Sequence, residues 1–81
     1  MILYLDTSAY LKLFFEETGS EQVAQAVAMA EGCATHLLTY AEMRAGFARG
    51  RRMGRLSAEQ TQECVQQLDG EWVQFAAIME V

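Results

Sequence analysis

Ile2-Leu3-Tyr4-Leu5-Asp6-Thr7-Ser8-Ala9 is the stretch that decides how this chain reads. Four apolar residues in a row, without polar alternation, spell a short strand buried on both faces, the kind that belongs to parallel sheets. Asp6 ends the run, and Thr7 and Ser8 are residue types that cap a helix. Ala9 to Phe15 has helical spacing, and Glu16-Glu17-Thr18-Gly19 ends it. In α/β sheets, ligands bind at the carboxyl ends of the strands, so an acid at this junction is a candidate for chemistry.

Outward from there the alternation repeats. A second helix is expected from about Glu21, with Val23, Ala26, Val27 and Ala30 on one face and Gly32 as its stop. Ala34 to Leu38 is the second short run. Thr39 then opens a third helix reaching about Arg52, and Thr39 with Glu42 has the spacing of a capping box. Ser57 and Gln60 repeat that pattern ahead of a fourth helix to about Leu68, and Asp69-Gly70 reads as a turn. Phe75 to Met79 would be a poorly amphipathic helix, so the last part of the tail is expected as a third strand. The order β-α-α-β-α-α-β specifies an α/β fold, a parallel β-sheet with flanking helices.

Bulk properties narrow the class. A chain of 81 residues has room for one domain at most. Its hydrophobic share of 52% and mean hydropathy of +0.02 are high for so small a unit. Some apolar faces are therefore expected to pack against partners the chain does not contain. The net charge of −5 argues against a surface that is basic throughout. Yet Arg44, Arg49, Arg51, Arg52 and Arg55 fall in one stretch, with only Lys12 elsewhere. Cys33 and Cys64 have neither zinc nor disulfide spacing, which suits a reducing, cytoplasmic setting. The start lacks a positively charged leader, and no apolar run approaches the roughly 20 residues of a membrane span.

Asp6 and Glu42 share one setting, a strand end followed by a helix start. On neighbouring parallel strands their carboxylates would face the same edge and repel. A hard divalent cation relieves that repulsion, takes oxygen ligands and activates water against a phosphodiester. The competing reading is that Asp6 is only an N-cap and Glu42 only the partner of Thr39 in a capping box.

At this point the residues carry a resemblance. Ile2 to Leu13, with the strand, Asp6, the Thr7-Ser8 pair and Lys12 four residues after the hydroxyls, resembles the opening of PIN-domain proteins, VapC-like toxins above all. Thr39 to Arg49, with Glu42 opening a helix, is similar to the second motif of that family. The resemblance implies a metal-dependent endoribonuclease, the toxin of a type II toxin–antitoxin pair, using Mg²⁺ or Mn²⁺. Asp6 and Glu42 match the family's first two acids, and Thr7 or Ser8 would support the metal shell. It also implies an RNA substrate, a cognate antitoxin and a homo-oligomer. The family has further aspartates after the third strand, and none follows here. The expectation is therefore that residues 1–81 are the N-terminal portion of a single PIN-like domain, incomplete at the C-terminus and weakly active or inactive alone. Asp69 and Glu71 precede the last strand and do not take the missing role. The alternative is a non-catalytic toxin-like fragment that binds an antitoxin or itself.

Other positions have plainer readings. Arg49, Arg51 and Arg52 suit phosphate contact, or else a solvated helix end where cations are favourable. His36 is expected as a satisfied core or edge histidine, and both cysteines as small buried hydrophobes. Tyr10, Leu11, Leu13, Phe14 and Phe15 make the first helix apolar nearly all round. That serves a core or, by resemblance, the groove for an antitoxin segment. Trp72 suits either surface.

Overall fold

The structure, a computed structural model, describes residues 1–80. Its elements are β1 (Ile2–Tyr4), α1 (Thr7–Leu11), α2 (Ser20–Met29), β2 (Gly32–His36), α3 (Thr39–Arg52), α4 (Ala58–Trp72) and β3 (Ala77–Met79). The three strands form one parallel sheet in the order β1-β2-β3. The α/β order and the parallel sheet are those read from the sequence.

Several boundaries moved, each for a physical reason. Asp6 is the N-cap of α1, its Oδ1 accepting the Ala9 N–H at 2.8 Å, so Thr7 and Ser8 lie inside the first turn. α1 ends at Leu11, and the chain tightens through bonds from the N–H groups of Leu13 and Phe14 to the carbonyls three residues back. Gly19, at φ 94°, makes the entry to α2, a left-handed conformation that a side chain would strain. Gly32 is not a helix stop. It begins β2, which pairs as Ile2↔Gly32, Leu3↔Cys33 and Tyr4↔Ala34, two residues earlier than expected. Leu37 and Leu38 then lie outside the strand and are exposed.

The capping box expected at Thr39 is absent. Leu38 occupies the N-cap in a helical conformation and no side chain caps the end, because the Glu42 carboxylate is taken by Thr7 instead. The box at Ser57 is present in both halves: Ser57 Oγ accepts the Gln60 N–H at 3.0 Å, and Gln60 Oε1 accepts the Ser57 N–H at 2.9 Å. Asp69-Gly70 is not a turn. α4 continues through it to Trp72.

The core lies between the sheet and the helices. Leu5, Tyr10, Phe15, Met43, Phe47 and Leu68 are its buried members, with Leu3, Cys33, Val23, Val27, Trp72 and Phe75 packed against them. Successive residues of a strand point to opposite faces. Leu3 and Cys33 therefore face the helices, and Ile2, Tyr4, Ala34, His36 and Met79 belong to the other face. On that second face Ile2, Tyr4 and Met79 are 50%, 42% and 41% exposed. The expectation of strands buried on both faces is thus corrected. The chain steps across the sheet in one direction, and right-handed crossovers then place both helix pairs on the same side.

Candidate active site

The ends of β1 and β2 lie side by side, and the residues that follow them build a cleft. Tyr4, Asp6, Thr7, His36, Leu38, Thr39 and Glu42 line it, enclosing about 230 Å³. Both candidate acids are therefore in one place, although far apart along the chain. β1 delivers Asp6 and β2, through Leu37 and Leu38, delivers Glu42 in the first turn of α3.

Hydroxyls order the cleft. Thr7 Oγ1 donates to Glu42 Oε1 at 2.6 Å and lies 3.4 Å from Thr39 Oγ1. A hydroxyl has one proton, so the shorter contact claims it. Thr35, fully buried on β2, donates to the Leu5 carbonyl at 2.7 Å and ties the two strand ends together just below Asp6. Asp6 and Glu42 are both exposed. Ser8, exposed, is not among the cleft residues, so of the two hydroxyls beside Asp6 it is Thr7 that reaches the second acid.

The donor set is made of oxygens: two carboxylates and two hydroxyls. That chemistry fits a hard divalent cation such as Mg²⁺ or Mn²⁺. Among the described residues no three His, Cys, Asp or Glu side chains converge as a ligand group. Two carboxylates would leave most of the shell of such a cation to water.

His36 departs from its expected place. It is not a satisfied histidine. Its Nδ1 is buried without a hydrogen-bond partner, its ring meets Tyr4 edge-on at 5.3 Å between centroids, and it lines the same cleft as the acids. No signal in the sequence marked it: the run Ala34 to Leu38 puts His36 in mid-strand, whereas β2 ends at His36, on the same open face as Ala34.

Asp69 and Glu71 are occupied elsewhere. Tyr40 Oη donates to Asp69, and Arg44 reaches the same hydroxyl at 3.2 Å. Tyr10 Oη donates to Glu71 Oε1 at 2.8 Å, and Gln67 supports the other oxygen at 2.9 Å. Burial, and then the Glu71 carboxylate that accepts its proton, push the Tyr10 hydroxyl well above its ordinary pKa. Burial raises the Cys33 thiol, and burial with Glu63 nearby raises Cys64. Neither cysteine has the lowered pKa of a reactive thiol. Both are only half-buried. Trp72 packs on Tyr40 and Phe75 and so belongs to the core side.

The arginines are all exposed but not equivalent. Arg49 and Arg52 line a groove between α1 and α3 that also contains Glu42, whereas Arg51 is not among its walls. No helix is long and apolar enough to cross a membrane among the described residues.

Comparison with known proteins bears on this geometry at one point. The family described as PIN domain matches residues 3–78, nearly the whole chain. No curated protein matches it.

Proposed function

This chain belongs to the PIN-domain family, nucleases in general and typically dependent on divalent metal, and from that premise we propose that it is a VapC-like endoribonuclease, the toxin of a type II toxin–antitoxin pair, acting in the cytoplasm on RNA. The observation that supports the reading best is that Asp6 and Glu42 line one cleft at the carboxyl ends of adjacent parallel strands.

In this proposal Asp6 and Glu42 hold Mg²⁺ or Mn²⁺, which when bound supplies an activated water and neutralises charge on the displaced phosphodiester. Asp6 offers a carboxylate whose Oδ1 is already oriented by the Ala9 N–H. Thr7 fixes Glu42 by its hydrogen bond, so that Glu42 presents a defined face to the cleft. Thr7 is the hydroxyl that supports the metal shell, with Ser8 one residue further on. Two carboxylates make a weak site on their own.

Mn²⁺ binding followed by water-proton relaxation tests this. Wild-type protein is expected to bind weakly, and Asp6→Asn and Glu42→Gln each to lose binding. Equal behaviour of all three proteins would reduce the acids to helix-terminal residues. A second reading has one observation in its favour, that no third acid joins the pair among the described residues. In that reading the chain binds an antitoxin or a second copy of itself without chemistry. Metal-dependent RNA cleavage that disappears in Asp6→Asn would exclude it.

A further inference from the structure

The face of α3 that carries Glu42 continues into a second feature. Glu42, Ala45, Gly46, Arg49, Gly50 and Arg52 follow one another at helical spacing and together line the groove against α1, of about 420 Å³. Its floor is bare because Gly46 and Gly50 have no side chains. Leu11 and Phe15 of the opposing segment come so near that an added Cβ would lie 3.0 Å from each. Along the helix axis Arg49 is about 10 Å and Arg52 about 15 Å from Glu42. Arg51, nine residues after Glu42, is half a turn away from the groove.

Arg55 closes the far end. Its guanidinium lies 4.5 Å over the Phe15 ring and 3.9 Å from Glu17 Oε2, while Lys12 approaches the other Glu17 oxygen at 3.3 Å. A carboxylate thus already sits between two cations at the groove wall. The charge distribution points the same way. Met43 to Ala58 contains five arginines and no acid, whereas the rest of the chain holds one lysine against eleven acids.

We propose that this groove is the track for the phosphodiester backbone of single-stranded RNA as it leaves the acid cleft. Arg49 and Arg52 grip phosphates, and Glu17 is an internal counter-anion that the incoming strand displaces from Arg55. A groove of about 420 Å³ suits a single strand, and its guanidinium groups suit phosphate oxygens, so recognition along it is chiefly of charge and backbone. The inference rests on the nuclease reading only in that the track begins at Glu42.

The test is the anisotropy of a short fluorescein-labelled single-stranded RNA, titrated in EDTA at salt from about 50 to 200 mM. The proteins are wild type, Arg49→Ala/Arg52→Ala, Arg51→Ala and Glu17→Gln, each checked for folding by circular dichroism. The double variant is expected to bind at least tenfold more weakly, with a salt slope shallower by about 0.7 for each phosphate no longer neutralised. Arg51→Ala should keep the wild-type slope, and Glu17→Gln should bind several-fold more tightly. The track is refuted if Arg51→Ala equals the double variant, if Glu17→Gln changes nothing, or if an acidic peptide of equal charge competes as well as RNA. Because EDTA removes any cation, the two readings fail separately. The arginine pattern without Mn²⁺ binding in the relaxation titration keeps the track and sinks the metal site. Mn²⁺ binding that Asp6→Asn abolishes, with identical slopes in all four proteins, does the reverse.

Discussion

Thr7 donates its hydroxyl to Glu42 across the gap between the first and third helices, and that bond orients the second acid of the cleft. Groups that orient a metal's ligands without binding it typically contribute ten- to a hundredfold in affinity. Thr7→Val is therefore expected to weaken Mn²⁺ binding about tenfold while Asp6 and Glu42 remain, a smaller loss than Glu42→Gln produces. The same relaxation titration measures it. Tyr10 offers a prediction of a different kind. Tyr10→Phe removes the bond to Glu71 and should cost about 1 kcal/mol at neutral pH by urea unfolding. Because the folded-state pKa is raised, the folded protein keeps its phenolic proton where the unfolded chain gives it up. The stability this group contributes is full below about pH 10 and falls as pH rises beyond it. Unfolding measured on both sides of that pH should show a steeper alkaline loss for wild type than for Tyr10→Phe. Cys33 and Cys64 act with the same sign from about pH 9 upward, in both proteins.

α4 shows how an element records its own sequence. Ser57 and Gln60 close a reciprocal capping box, and Ser57→Ala should cost about 1 kcal/mol in urea denaturation. Gly70 lies inside the same helix, and a Cβ there would meet nothing within 4 Å. Gly70→Ala should therefore raise stability, by about 0.5 to 1 kcal/mol, with a matching rise in Tm. Gly70 is also where the sequence misled. Asp69-Gly70 has turn chemistry, but Leu68 before it and Trp72 after it pack on the core, and that packing carries the helix through. Local signals were legible where the partners were local, as at Ser57. They failed where a distant group intervened. Thr39 and Glu42 have the spacing of a cap, yet Thr7 takes the Glu42 carboxylate. The two acids could be picked out because each follows a strand. Their convergence needed the parallel pairing of β1 with β2, and His36 needed the knowledge of which face of β2 is open.

At the scale of the molecule, the sheet has helices on one side and exposed Ile2, Tyr4 and Met79 on the other. A bare face of this kind binds hydrophobic dyes and favours self-association. Ile2→Thr with Tyr4→Thr is expected to lower the fluorescence of the dye ANS and raise the solubility limit, while Tm changes little, since neither side chain is buried. A large fall in Tm would mean that the face contributes to the fold after all. The sheet order β1-β2-β3 has another consequence, in time rather than in space. Each strand pairs only with its neighbour in sequence, so no pairing waits for a segment made much later. Each closure spans a helix pair, 30 residues from Ile2 to Gly32 and 43 from Ala34 to Ala77, so the pairings are long-range and slow, but they can be made in chain order. On a ribosome, which delivers the N-terminal residues first, β1 and β2 can dock as soon as the intervening helices emerge, and β3 can join them afterwards. The cleft between Asp6 and Glu42 would then take shape once α3 is formed, before α4 and the last strand are in place.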